Sequence, residues 1–202
     1  MINKFLEKLG TAVLEGIQVI SASLIIIVII HVLIATPQQV KGQSMYPTLH
    51  DKDRIITEKI TYKTREPKRQ EIIVFKYPLN TDIEYIKRVI GLPGEKIQIR
   101  KNKIYIFNED YPKGFILKEP YLSQNVITRS RRFLQEGKLV TIPENKYVVM
   151  GDNRDKSSDS REWGFVDKSL IVGRTVFRYW PPKAFGIIKN PNPEENIIPL
   201  KR

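Results

Sequence analysis

Three polar stretches marked by glycine stand apart from the rest of the chain: GQSMYPTL at 42–49, YIKRVIGLPG at 85–94 and GDNRDKSSDSREWG at 151–164. The second holds a candidate base. From Ile83 to Ile90, alternation sets Lys87 with Tyr85 and Val89 on one face, and Arg88 with Ile86 and Ile90 on the other, so at least one cation faces apolar surroundings. A desolvated lysine loses stabilisation of its charged form, and its pKa falls by up to ~3–5 units from ~10.4 when burial is complete. Such a lysine is a usable base near neutral pH. A lysine that snorkels from an edge strand to water is an ordinary surface cation.

A base needs a group to deprotonate. The chain has no cysteine, which removes thiol nucleophiles, thiolate metal sites and disulfides together and leaves the redox compartment open. His31 and His50 are its two histidines, so a zinc site would have to be built almost wholly from carboxylates; no metal and no cofactor are expected. Hydroxyl nucleophiles remain. A serine–histidine–carboxylate triad would have to use His50, six residues from Ser44, with Asp51 or Asp53 as the orienting acid, and a lysine base gains by elimination. The acid-rich third stretch is not a calcium loop, because neither Asp152 nor Asp155 begins a loop with glycine at the sixth position and glutamate at the twelfth.

Taken together, Ser44 within GQSMYPTL, Lys87 within YIKRVIGLPG and the GDNRDKSSDSREWG loop resemble the motifs of type I signal peptidases, membrane-bound S26-type Ser/Lys endopeptidases that remove signal peptides from exported preproteins. The resemblance implies that Ser44 attacks the scissile carbonyl while neutral Lys87 takes its proton. Ser157 matches the family serine that hydrogen-bonds and orients the lysine ammonium. Asp159 and Arg161 match a pair that braces the site, and Arg88 matches a further ion-pair partner. The backbone N–H of Ser44 is the implied oxyanion donor. Gly42 stands where some members carry a serine whose hydroxyl assists, so a second donor here must be backbone, water or substrate; one such donor matters by ~2.7–4 kcal/mol. Family analogy and sequence proximity make Val40, Met45 and Ile86 the candidate substrate-pocket residues for the small side chains of an A-x-A-like site. Two turns depart from the family pattern: Lys52-Asp53 replaces Gly-Asp, and Arg69-Gln70-Glu71 replaces Arg-Gly-Asp.

These residues must be carried by a domain and brought to a substrate. Gly16 to Ala35 is a run of twenty residues without a formal charge if His31 is neutral, long enough at ~1.5 Å per residue to cross ~30 Å of hydrocarbon. It reads as one transmembrane anchor behind a short flank, 1–15, and it exceeds the ~7–15 apolar residues of a cleavable signal core. Residues 36–202 are the expected peptidase domain. Its short β-branched runs at 54–59, 71–76, 96–100 and 103–107, with later candidates at 138–142, 147–150 and 172–179, alternate with period two and point to a mainly antiparallel β domain. Leu92-Pro93-Gly94-Glu95 and Lys101-Asn102 supply the turns. Residues 108–137 break the rhythm as an expected insertion or cap, and 190–202, with three prolines, as an expected flexible tail.

The formal charge of +12 lies entirely within 36–202, because Lys4 and Lys8 cancel Glu7 and Glu15. Membrane phospholipids are the expected partner of that surface, with preproteins as substrate and no nucleic acid. The nearest rival is another Ser/Lys peptidase, a processing enzyme with one dedicated substrate or a self-cleaving repressor relative, the latter opposed by the anchor; a catalytically silent, basic nucleic-acid-binding or adhesive module, motivated by the charge and by Arg129, Arg131 and Arg132, is the rival of another class. Eight residues separate Ala35 from Ser44, at most ~30 Å when extended, which holds the nucleophile near the membrane surface. Flanking lysine and arginine counts do not decide orientation. The resemblance implies a single-pass protein of the cytoplasmic or a thylakoid-type membrane, with its catalytic domain on the non-cytoplasmic side.

Overall fold

The computed structural model describes residues 2–123 and 126–200. Helix α1 (Ile2–Ile29) is followed by a π-helical turn, Ile30–Ile34, and by a domain of two antiparallel sheets. The helix therefore starts well before the expected anchor, whose last residue, Ala35, already belongs to a strand. Its apolar stretch is Gly10–Ile29, exposed throughout, a length and composition suited to crossing a membrane. Lys4, Leu6, Glu7, Lys8 and Leu9 are good helix formers, so nothing in the expected flank interrupts the helix.

The first sheet contains β1 (Ala35–Gln39), β2 (Arg54–Glu58), β3 (Ile72–Tyr77), β4 (Asn80–Gly91), β9 (Lys146–Met150), β10 (Val166–Asp167), β11 (Ile171–Trp180) and β12 (Gly186–Ile187). Its order is β1-β2-β11-β3-β4-β9-β10, with β12 beside β11. The second contains β5 (Lys96–Arg100), β6 (Lys103–Phe107), β7 (Phe115–Leu117), β8 (Val140–Thr141) and β13 (Ile197–Pro199), in the order β13-β7-β6-β5-β8. Lys101 and Asn102 both take positive φ, 48° and 60°, as a two-residue hairpin of the I′ type requires. Gly94 at φ 78° completes the Pro93-Gly94 turn.

One cluster, including Ile90, Ile97, Ile106, Phe115 and Val148, joins β4 and β9 to the second sheet. A second, of Val40, Met45, Leu49, Ile55 and Ile72, lies under the 40–49 loop. A third packs Ile73, Phe75, Val89 and Val149 on the other side of β3 and β4. β3 is thus buried on both faces, which is why Ile72-Ile73-Val74-Phe75 is continuously apolar.

Several elements differ from expectation. β1 carries Pro37 and two glutamines, a composition that hides a strand and suits a sheet edge. The 108–137 stretch contributes β7 and the core residue Leu134, so it is partly built into the second sheet. The stretch expected as a tail carries β13, paired with β7 at Ile197–Leu117, and buries Asn196, which bonds to Gln70; residues 201–202 lie outside the described residues. Of 138–142, Val140–Thr141 alone forms a strand.

Candidate active site

The 42–49 loop leaves the end of β1 and is pinned from below by Met45 and Leu49, both fully buried, with Leu49 N–H donating to the Met45 carbonyl at 2.8 Å. Gly42 takes φ 86°, a conformation unfavourable for residues with a β-carbon, and its N–H donates to Asp51 Oδ1 at 2.7 Å. That turn presents Ser44 toward β4. Lys87 Nζ lies 2.9 Å from Ser44 Oγ in a hydrogen bond and also donates to the Ile86 carbonyl at 3.0 Å. Among the described residues β9 pairs with β4 from Arg88 onward, so the outer edge of β4 is free at Lys87, whose Nζ lies 5.0 Å from the Tyr85 ring.

Lys87 is 4% exposed. Burial pulls its pKa down to about 8, against the opposing influence of the Asp159 and Asp152 carboxylates. The head group is therefore held near the pH at which it can accept a proton. Among the described residues no acceptor is present for the Ser44 N–H.

Arg88 is fully buried and clamps Asp152 through two bonds, Nε to Oδ1 at 2.8 Å and NH2 to Oδ2 at 2.6 Å, while NH1 donates to the Gln70 carbonyl. Thr48, in the nucleophile loop, donates to the same carboxylate at 2.6 Å. Asp159 and Arg161 form the expected buried pair, at 2.8 Å. Burial alone would raise the Asp159 pKa, but Arg161, Ser157 and the Gly151 N–H together hold it below the usual carboxylate value. The 151–164 loop touches the nucleophile directly, since Asn153 N–H donates to the Ser44 carbonyl at 3.0 Å.

Ser157 is buried beside these groups without a bond to Lys87. It lies close enough to Asp159 to help keep it ionised, yet its hydroxyl makes no hydrogen bond of normal geometry. A β-carbon added at Gly151 would collide with both Ser157 Oγ and the Ser44 carbonyl, which shows how closely the three residues approach.

The triad alternative is not built. The His50 ring packs edge-on against Tyr46 at 5.1 Å, Asp51 is committed to the Gly42 N–H, and Asp53 to the His50 N–H and Arg178. Arg129 and Arg131 are also spoken for: Arg129 pairs with Asp155 at 2.9 Å and Arg131 donates to the carbonyls of Arg154 and Asp155. Arg132 pairs with Glu162 at 3.5 Å.

A cleft of about 790 Å³ opens at the dyad, between β1 with its following loop and the free edge of β4. Val40 and Ile86 line it as expected, joined by Ile55 and Val74. Met45 does not line it; it is buried beneath the loop. Gln38 crosses from β1 to β4, donating to Glu84 Oε2 at 2.6 Å, and accepts from Thr57. Gln38, Glu84 and Asp152 went unassigned in the sequence because their partners lie many positions away.

Residues 13–180 match the family described as signal peptidase, peptidase S26. The chain belongs to that family. Signal peptidase IB of Staphylococcus aureus (strain MRSA252) is 36% identical over 194 residues, which is 91% of this chain and 97% of the relative. A probable signal peptidase I-2 of Synechocystis is 32% identical over 173 residues, 83% of this chain and 73% of the relative. The crystal structure of a signal peptidase I from Enterococcus faecalis V583 is 34% identical and covers 55% of this chain and 97% of that one, with a TM-score of 0.44. This signal peptidase is thus a serine-type hydrolase of peptide bonds, and α1 makes it a membrane-anchored one.

Its two departures from the family turns now have a physical reading. Lys52 and Gln70, standing where glycine is usual, take φ 69° and 68°. The backbone keeps the left-handed geometry and bears the strain of a β-carbon there. Gln70 offsets that strain through its buried side chain, which donates to the Lys118 carbonyl and accepts from Asn196.

Proposed function

We propose that Ser44 and Lys87 are the nucleophile and general base of a signal peptidase I that cleaves exported preproteins behind small residues at the membrane surface. The observation that carries this reading is the 2.9 Å Nζ–Oγ bond formed by a buried lysine. Neutral Lys87 takes the Ser44 proton as Oγ attacks the scissile carbonyl, and the Ser44 N–H meets the oxyanion. The lysine ammonium then gives its proton to the leaving amine, releasing the mature protein and leaving an acyl-serine. Lys87, neutral again, deprotonates a water that hydrolyses the ester. During the charged intervals Ser157, whose hydroxyl is free and buried beside the loop, supports the ammonium together with the Ile86 carbonyl, and Asp159 and Arg161 hold that loop in place.

The substrate reaches the dyad as an extended strand along the free edge of β4, opposite β1. Val40, Ile55, Val74 and Ile86 make the cleft apolar, which suits the small side chains of a signal-peptide cleavage site. That β1 follows α1 through a single π-helical turn supports a domain held at the membrane surface; its place on the non-cytoplasmic side, with the basic surface beside anionic phospholipids, is part of the same proposal. The test is cleavage of a preprotein with alanine at the −1 and −3 positions, with the product N-terminus sequenced. Replacing either alanine by tryptophan should abolish the product. Unchanged cleavage of the tryptophan substrates would refute the assignment of the cleft.

A further inference from the structure

Two buried arginines flank the reacting pair, and one short stretch, Glu119-Pro120-Tyr121 directly after β7, holds both. Arg88 adjoins Lys87 in the chain. Asp152 and the Gln70 carbonyl fix its guanidinium in the plane, and the Tyr121 ring covers its face at 3.9 Å. Tyr121 OH donates to Glu119 Oε1 at 2.6 Å. The Glu119 carboxylate in turn takes Arg154 in a two-pronged pair, NH1 to Oε2 at 2.9 Å and NH2 to Oε1.

Arg154 carries the connection into the site. Its side chain is wholly buried and its Nε donates to the Gly151 carbonyl at 3.0 Å. Its own carbonyl accepts from Arg161 NH2 at 2.6 Å. Gly151 is the residue against which Ser157 Oγ and the Ser44 carbonyl are packed, so its placement fixes both. A carboxylate and a tyrosine from outside the three motif stretches therefore bear on the base through one arginine and on the nucleophile's neighbours through the other.

We propose that Glu119 and Tyr121 are positioning residues for peptide hydrolysis: they form a strut that fixes Arg88 and Arg154 and, through them, sets Lys87 against Ser44 and Gly151 against Ser157. The proposal rests on the reading of Ser44 and Lys87 as the reacting pair. Neither the strut residues nor the arginines they fix line the cleft, so the strut acts on the chemical step and leaves substrate binding alone. A misplacement of ~1 Å in a reacting geometry is worth about 10²-fold in rate.

The experiment uses the full chain in liposomes with a preprotein substrate, recording kcat, KM and the pH dependence of kcat/KM, with thermal unfolding alongside. Tyr121→Leu removes the ring over Arg88, and kcat should fall by up to about 10²-fold while KM is unchanged. An Arg88 loosened from Asp152 would leave that carboxylate less compensated beside the Lys87 ammonium, with Asp159 still facing it, so the acidic limb should also move to higher pH. Tyr121→Phe keeps the ring and loses the hydroxyl's bond to Glu119 and its long contact with Arg154 NH2, so its loss should be about tenfold or less. Glu119→Gln removes the charge opposite Arg154 and should lower kcat with KM again unchanged.

If Tyr121→Leu fails to fold, Tyr121→Phe and Glu119→Gln decide by the same two readouts. Folded variants that keep the wild-type kcat and acidic limb, losing thermal stability alone, would overturn the strut. Ser44→Ala, run in parallel, separates the two levels. Cleavage lost in Ser44→Ala but unchanged in the strut variants removes the strut alone; cleavage that survives Ser44→Ala removes the dyad and the strut with it.

Discussion

Lowering the reaction from pH 8 to pH 6 should slow this peptidase about fiftyfold, because the proposed base, Lys87, gains a proton. With a pKa of about 8, Lys87 is neutral in about one molecule in ten at pH 7, whereas a lysine at its ordinary value of 10.5 is neutral in about one in three thousand. Burial thus multiplies the competent fraction by about 300. The assay is kcat/KM on a preprotein or signal-site peptide from pH 6 to pH 9.5, since that ratio reports ionisations of the free enzyme. It should rise tenfold per pH unit below about 8 and flatten above.

The same displacement has a consequence for stability. The folded-state pKa lies below the unfolded value, so between about pH 8 and pH 10.5 the unfolded chain binds more protons and stability rises with pH. Below that window the fold carries the full penalty of a buried charge, of order 3 kcal/mol. Lys87→Met should therefore be inactive yet more stable than the parent at pH 7, by up to about 3 kcal/mol. A rate profile flat from pH 6 to pH 9, or one rising through an ionisation near 10.5, would refute the burial argument, as would a Lys87→Met variant of lower thermal stability at pH 7.

Two further perturbations follow from the surrounding contacts. Asp152→Asn leaves the buried Arg88 guanidinium uncompensated and should destabilise by about 3–5 kcal/mol, read as a lowered midpoint in urea unfolding. Lys52→Gly relieves a positive φ at an exposed turn and should raise stability by about 1 kcal/mol, with activity unchanged, in the same titration.

The proposed pair, Ser44 and Lys87, was suggested in the sequence by local reasons and by the joint resemblance of three motif stretches, and the structure brings the two side chains together. Absence of cysteine and scarcity of histidine narrowed the nucleophile and base, and the alternation around Lys87 showed that Lys87, Arg88 or both had to be buried; the structure buries both. The Asp159–Arg161 pair was implied by the same resemblance, and the structure forms it. Arg88 was expected to find an ion-pair partner, but Asp152 was hidden among several acids of one loop, and only the fold places it against Arg88, 64 positions away. Glu119 and Tyr121 were hidden for the same reason, lying in a stretch without periodicity and meeting Arg154 more than thirty positions on. β1 escaped because Pro37 and its glutamines carry no alternating pattern, although it forms one wall of the cleft. Ser157 was expected to bond the lysine; in the structure Lys87 turns to the Ile86 carbonyl and Ser44 hydroxyl, leaving Ser157 buried and free.

The most direct measurement is the initial rate of preprotein cleavage by liposomes carrying the full chain, its Ser44→Ala variant or its Lys87→Ala variant, each verified to be folded. Both variants should lose the product, with the released mature protein appearing in the parent alone. Cleavage at the parental rate by either variant would contradict the assignment of Ser44 as nucleophile and Lys87 as base.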